Sequence, residues 1–142
     1  MITHKATISS LANEMLSVIG FSFSQIYTQT KGVLILEIVN GDSVYFIEFS
    51  TNSPYDRILL TPKHSRAKAN TKDLFGVLIG EAITNISQVN DDRILAISTA
   101  CHNIYFKLFG HNHSDVVITT KKDKIIHSLN NINLIGTKFY ID

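Results

Sequence analysis

The segment VLILEIVNGDSVYFIEFS, residues 33–50, decides the fold. Val33 to Val39 is a run of β-branched and aliphatic residues, and Ser43 to Ser50 alternates aromatic and apolar with polar positions. Between them Asn40-Gly41 is a strong two-residue hairpin signal, because such turns need positive φ. Two antiparallel strands are therefore expected here, each long enough to line a core.

Toward the N-terminus, Ile8, Leu11, Ala12, Met15, Leu16 and Ile19 recur at helical spacing, and Gly20 suits a helix stop. This predicts an amphipathic helix over 5–19, followed by a β-rich run from Phe21 to about Thr30. Toward the C-terminus, Asn52, Ser53 and Pro54 break the hairpin, and Arg57 to Thr61 reads as a further short strand. A basic loop follows Pro62. Asn70 or Thr71 can then cap a second helix, with Asp73 favourable in its first turn and Leu74, Phe75, Leu78, Ile79, Ala82 and Ile83 forming its apolar face. From Thr84 the pattern returns to strands: TNISQV, RILAIST, NIYFKLF, DVVIT and IIHSL, with Lys121-Lys122-Asp123-Lys124 as the last hairpin turn. No linker, low-complexity tract or internal repeat stands out. The expectation is one α+β domain over 1–142, an antiparallel β-sandwich or pseudo-barrel capped by two α-helices.

A chain of 142 residues can bury a real core, and 44% hydrophobic with 18% charged residues is a globular composition. A formal charge of +1 is too small for an indiscriminate polyanion binder. The single Cys101 excludes an internal disulfide and fits a reducing compartment. The N-terminal residues lack the apolar core of a secretory signal, and no apolar run approaches the roughly 18 residues of a membrane span. A cytoplasmic protein with no membrane association is expected.

Charge is concentrated locally. Five of the 13 Lys and Arg lie between Arg57 and Lys72, with no acid from Ile58 through Lys72. Arg57, Lys63, His64, Arg66, Lys68, Asn70 and Lys72 are thus candidate contacts for an anionic partner, with nucleic acid first. The same loop reads equally as a solvated surface. Asp92-Arg93 closes a turn, and Arg93 shares parity with Leu95 and Ile97, at the rim of their face. Its guanidinium can fork onto a phosphate or base edge with Asp92 orienting it, or the two can be an ordinary ion pair at a strand end. His111 and His113, with His102 and Asp115, lack the spacing of a metal site and read better as a polar turn. Cys101-His102 diverge on a strand and make a poor nucleophile and base. No metal or other cofactor is expected.

The chain from about Leu11 to Leu129 resembles the N-terminal lobe of the NFACT proteins, ribosome-associated quality-control factors (RqcH-type in bacteria) often labelled fibronectin-binding protein A-like. The words that carry the resemblance are GFSFSQIY from Gly20, SPYDRILLT from Ser53, HSRAKANTKDLF from His64, Asp92-Arg93-Ile94, KLFG from Lys107 and KIIHSL from Lys124. Their order spans nearly the whole chain.

The resemblance implies a fold like the N-terminal lobe of formamidopyrimidine-DNA glycosylases. It implies a role for Asp92 and Arg93 in tRNA recognition, and partners among tRNA and large-subunit ribosomal RNA. The implied activity is non-catalytic: recruiting tRNA to obstructed large ribosomal subunits for untemplated tail addition. Two departures stand out. LIGEAI at Leu78 to Ile83 replaces a basic stretch common in relatives, and HNHSD follows Gly110. The glycosylase relatives begin with Pro-Glu after the initiator, whereas this sequence begins Met1-Ile2-Thr3. The lobe is expected to be the N-terminal part of a longer protein. Alternatives are a protein-interaction domain, as the older label suggests, or a glycosylase-like enzyme.

Overall fold

A computed structural model describes residues 5–52, 56–64, 66–89, 93–109 and 113–139, with side chains described from Ser10 onward. Helix α1 (Lys5–Met15) runs into a 3-10 turn at Leu16–Val18. Ten strands follow: β1 (Ser22–Thr30), β2 (Val33–Asn40), β3 (Ser43–Ser50), β4 (Arg57–Thr61), β5 (Lys72–Asp73), β6 (Asn85–Gln88), β7 (Ile94–Ser98), β8 (His102–Lys107), β9 (Asp115–Thr120) and β10 (Ile125–Ser128). They form two five-stranded antiparallel sheets, ordered β4-β3-β2-β1-β5 and β10-β9-β8-β7-β6. Successive strands within each sheet are hairpin neighbours except β5, which crosses from β4 to the opposite edge and pairs with β1.

The β2–β3 hairpin is present, with its turn one residue later than expected. Asn40 pairs with Ser43, so Gly41 and Asp42 occupy the turn, and Gly41 takes φ +60. Glycine at the first central position is the type II′ solution. Every pairing therefore moves by two positions, Leu36 meeting Ile47 and Leu34 meeting Phe49, and both strands keep their inner faces.

Those inner faces build the core. Leu34, Leu36, Ile38, Ile47 and Phe49 pack with Leu95, Ile97, Ile104, Phe106 and Ile118 of the second sheet, and the Phe49 and Phe106 rings meet edge to face at 5.1 Å. Leu11, Ala12, Met15 and Val18 extend that core, with α1 lying against β6 and β7. Alternation puts other residues on the outer faces: Tyr27, Ile35 and Phe46 on the first sheet, and Ile94, Ala96, Tyr105 and Val117 on the second. A buried polar network joins the sheet ends. Asn130 Nδ2 donates to Thr51 Oγ1 at 2.9 Å, and Ser114 Oγ donates to Asp56 Oδ2 at 2.7 Å.

The second α-helix expected at Leu74–Ile83 is absent, and only α1 is helical over more than one turn among the described residues. Asn70, expected as a possible helix cap, is instead a left-handed turn residue with φ +59. Lys72 and Asp73 pair with Thr28 and Tyr27, and Leu74 N donates to Ile26 O at 3.0 Å. Phe75 takes φ +52 and Gly80 φ +89, neither of which a right-handed helix admits. The helical spacing of Leu74, Phe75 and Leu78 is met by a 3-10 turn at Gly76–Leu78 that lets Phe75 and Leu78 enter the same core with Leu74 partly buried against it, while Val77 stays exposed. Strand pairing has overridden a weak local helix signal that already contained two glycines.

An internal repeat also emerges. Val18-Ile19-Gly20, Leu78-Ile79-Gly80 and Leu134-Ile135-Gly136 each begin on the last residue of a 3-10 turn. In each the isoleucine is extended, with ψ between 128 and 131, and the glycine has φ between +89 and +98. Each closes with the same bond, Phe21 N to Val18 O, Glu81 N to Leu78 O and Thr137 N to Leu134 O, all at 3.0 Å. These are type II turns, which favour glycine at the third position. The first two precede β1–β4 and β6–β9, and Ser22 and Ala82, equivalent in the two copies, pair with each other across an antiparallel bridge. The recurring hydrophobic-Ile-Gly word is the signal that a search for longer repeats passes over.

Candidate functional site

The basic loop lies over the outer face of the first sheet and is bound to it by its own basic residues. The Arg66 guanidinium sits 4.4 Å from the centre of the Tyr27 ring. It donates from Nε to Thr71 Oγ1 and from an NH group to Gln25 Oε1, both at 3.0 Å, and pairs with Asp73 at 2.9 Å. His64 Nδ1 shares a hydrogen bond of 2.9 Å with the Tyr27 hydroxyl, and its ring lies near that of Phe46. Burial pushes the Tyr27 phenol up; the Arg66 charge opposes this and the Glu37 charge adds to it. The phenol is therefore neutral near pH 7 and fits a half-buried hydrogen bond. Ala67 N donates to Gln29 Oε1 at 2.7 Å. Arg57, at the start of β4, pairs with Glu48 at 2.8 Å.

Lys63 and Lys68 are exposed on this anchored loop, and Lys72 is exposed in β5. Beside them Ser24, Gln25, Ile26, Arg66, Asp73, Leu74, Gly76 and Ile79 line an open cleft of about 330 Å³. Ser24 Oγ donates to Glu37 Oε1 at 2.6 Å and Gln25 Nε2 donates to the same oxygen at 3.3 Å, which orients the cleft's polar wall. The Arg66 guanidinium, the Gln25 amide and the Asp73 carboxylate are joined to one another along the cleft's polar wall, above an apolar floor. The sequence shows the loop but not the cleft, because Ser24 and Gln25 lie some forty residues before Arg66 and meet it only through β1–β5 pairing.

Arg93 stands elsewhere. It precedes β7 in the second sheet, with its guanidinium 5.6 Å from the Phe109 ring. Phe109 packs against the outer-face cluster of that sheet, while Leu108 N donates to Arg93 O at 3.0 Å and sets Arg93 opposite the core residue Leu108. The loop and Arg93 thus belong to different sheets, and the structure does not bring them together. Asp92 lies outside the described residues, as does His111. His102 Nδ1 meets both Glu81 carboxylate oxygens at 3.0 and 2.9 Å, while the Asp115 carboxylate accepts from Ser128 Oγ, Val116 N and Asn130 N. The two therefore belong to separate networks.

The family profile described as NFACT N-terminal and middle domains matches residues 4–137. No curated protein matches the chain. Among solved structures, the N-terminal domain of fibronectin-binding protein PavA from Streptococcus pneumoniae superposes with a TM-score of 0.82 at 20% identity, over 97% of this chain and 60% of that one. The N-terminal part of the fibronectin/fibrinogen-binding protein of Streptococcus suis gives 0.76 at 20% identity, over 92% and 57%. The fibrinogen binding protein of Staphylococcus aureus gives 0.74 at 15% identity, over 95% and 54%. The chain spans less than two thirds of each of these structures, and at such identities the likeness is one of fold.

Proposed function

The chain belongs to the NFACT family, and from that premise we propose that it is a non-catalytic RNA-binding lobe, the N-terminal part of a cytoplasmic factor that recruits tRNA to obstructed large ribosomal subunits. The observation that carries this proposal is the anchored loop. Arg66 and His64 hold it on the sheet, and Lys63, Lys68 and Lys72 are displayed at fixed positions beside the cleft. An anchored backbone lets these lysines meet a phosphate backbone without the cost of ordering the loop, leaving only their side chains to be ordered. Arg93, with Asp92 before it, serves as a separate contact on the other sheet, and Arg57 supports the loop from β4.

The test is a binding titration of the lobe with tRNA and with large-subunit RNA fragments. Lys63→Gln, Lys68→Gln and Lys72→Gln together should weaken binding and lower the slope of log K against log salt by about 2. Arg93→Ala should weaken it independently, the two effects adding because the sites do not touch. A lobe that binds neither RNA overturns the proposal.

A protein-binding role has one specific observation in its favour, the fibronectin and fibrinogen named for the structural neighbours. Saturable binding to immobilised fibronectin by a lobe that ignores RNA would establish it. A glycosylase-like lyase is tested by borohydride trapping on abasic DNA, where no adduct is expected.

A further inference from the structure

A second group of lysines is assembled by backbone pairing. Lys124 and Lys138 face each other across an antiparallel bridge, held by Ile125 N to Thr137 O at 2.8 Å and Phe139 N to Asp123 O at 2.7 Å. Directly opposed residues project to the same face, where like charges repel. The neighbouring Ile125 and Phe139 are buried against the outer face of the second sheet, and Lys124 and Lys138 are exposed. Lys121 and Lys122 occupy the adjoining exposed turn, Lys121 reaching Asn103 Oδ1 at 3.0 Å. From Val116 to Ile141 the sequence contains four lysines and one acid, Asp123.

Asp123 takes φ +64, and its carboxylate hydrogen-bonds the Tyr105 phenol. Burial first, then the Asp123 charge and this bond, hold Tyr105 above its ordinary range. Tyr105 stacks on Phe139 with ring centres 4.3 Å apart, and Lys107 Nζ lies 5.9 Å from the Phe139 ring.

We infer that the β9–β10 turn, with Lys121, Lys122 and Lys124 and with Lys138 opposite, is a second phosphate-contacting surface for RNA, distinct from the anchored loop. This rests on the RNA-binding proposal above. Four cations gathered around a like-charge pair form a local positive field, and successive RNA phosphates are spaced to meet it. β10 is also an edge strand, where lysines can serve to block strand addition, and the test separates the two uses.

The intact chain and its K121Q/K122Q/K124Q variant are titrated against fluorescein-labelled tRNA by anisotropy between about 50 and 200 mM KCl. Circular dichroism checks the fold of both, and K121R/K122R/K124R provides the charge-conserving control. The expected result is at least about tenfold weaker binding at low salt and a slope reduced by about 2–3 for the Gln variant, with the Arg variant near wild type. If wild type binds and the folded Gln variant binds with the same affinity and slope, this inference fails and the RNA-binding proposal stands. If that variant instead self-associates without losing affinity, the lysines are edge guards and the inference likewise fails. If wild type binds no RNA, both fall.

Discussion

Arg66→Ala probes whether the basic loop is anchored or merely solvated. Arg66 is about 29% exposed and makes two hydrogen bonds, to Thr71 and Gln25, besides its position over Tyr27. At about 1 kcal/mol net for each bond and about 0.5–1 kcal/mol for the ring contact, truncation should cost about 2–3 kcal/mol. The ion pair adds little, because the Asp73 side chain is 81% exposed and water screens it. For a domain of this size the melting temperature should fall by about 5–8 °C. Calorimetry measures the fall, and hydrogen exchange should show the Ala67 amide, bonded to Gln29, exchanging faster. Lys68→Ala provides the contrast: an exposed residue whose removal should shift stability by less than about 0.5 kcal/mol while lowering the salt slope of RNA binding by about 1. A melting temperature for Arg66→Ala within a degree or so of wild type would refute the anchoring and, with it, the idea that the lysines are held in place.

Asp115→Ala should cost about 3–5 kcal/mol in urea denaturation. It leaves Ser128 Oγ–H and the amides of Val116 and Asn130 without their acceptor, the first and last partly shielded from water and Val116 fully, whereas Asp115→Asn keeps one oxygen and should cost about half as much. Equal losses would show that the network is not the cause. Gly80→Ala should destabilise by about 1–2 kcal/mol from φ +89 alone, since a Cβ there meets nothing within 4 Å; Gly76→Ala, also with open space and without positive φ, should be neutral or slightly stabilising in the same assay. For His127, burial against Phe75 and then the nearby His102 lower its affinity for a proton. Its folded-state pKa lies below the unfolded value of about 6.5, so stability is full above that pH and declines as pH falls through it toward the folded pKa. Melting curves from pH 7 to pH 5 should fall less steeply for His127→Gln than for wild type; parallel curves would exclude His127 as a contributor.

The strands were readable because their information is local. Alternation in SVYFIEFS, the Gly41 turn and the aliphatic run from Val33 specify paired strands whatever surrounds them, and the later strands carry the same pattern. The segment Leu74–Ile83 was misread for the converse reason. Its apolar spacing satisfies a helix, and nothing within it announces that Ile26 O and Phe23 O will take up the Leu74 and Gly80 amides. The parity of Arg93 is legible because Leu108 N donates to Arg93 O and carries the β7–β8 ladder one residue past the strand.

Composition and strand patterning alone established a β-rich chain with a concentrated basic loop, since strand propensity, turn glycines and charge density are properties of short segments, and the resemblance of its words added the NFACT type. Tertiary pairing settled the availability of those charges. It tied Arg57, His64 and Arg66 into Glu48, Tyr27 and Asp73, set Arg93 on the other sheet, and brought Lys138 opposite Lys124. A side chain's charge is written in the sequence, but whether it is spent on a neighbour depends on which distant strand arrives beside it.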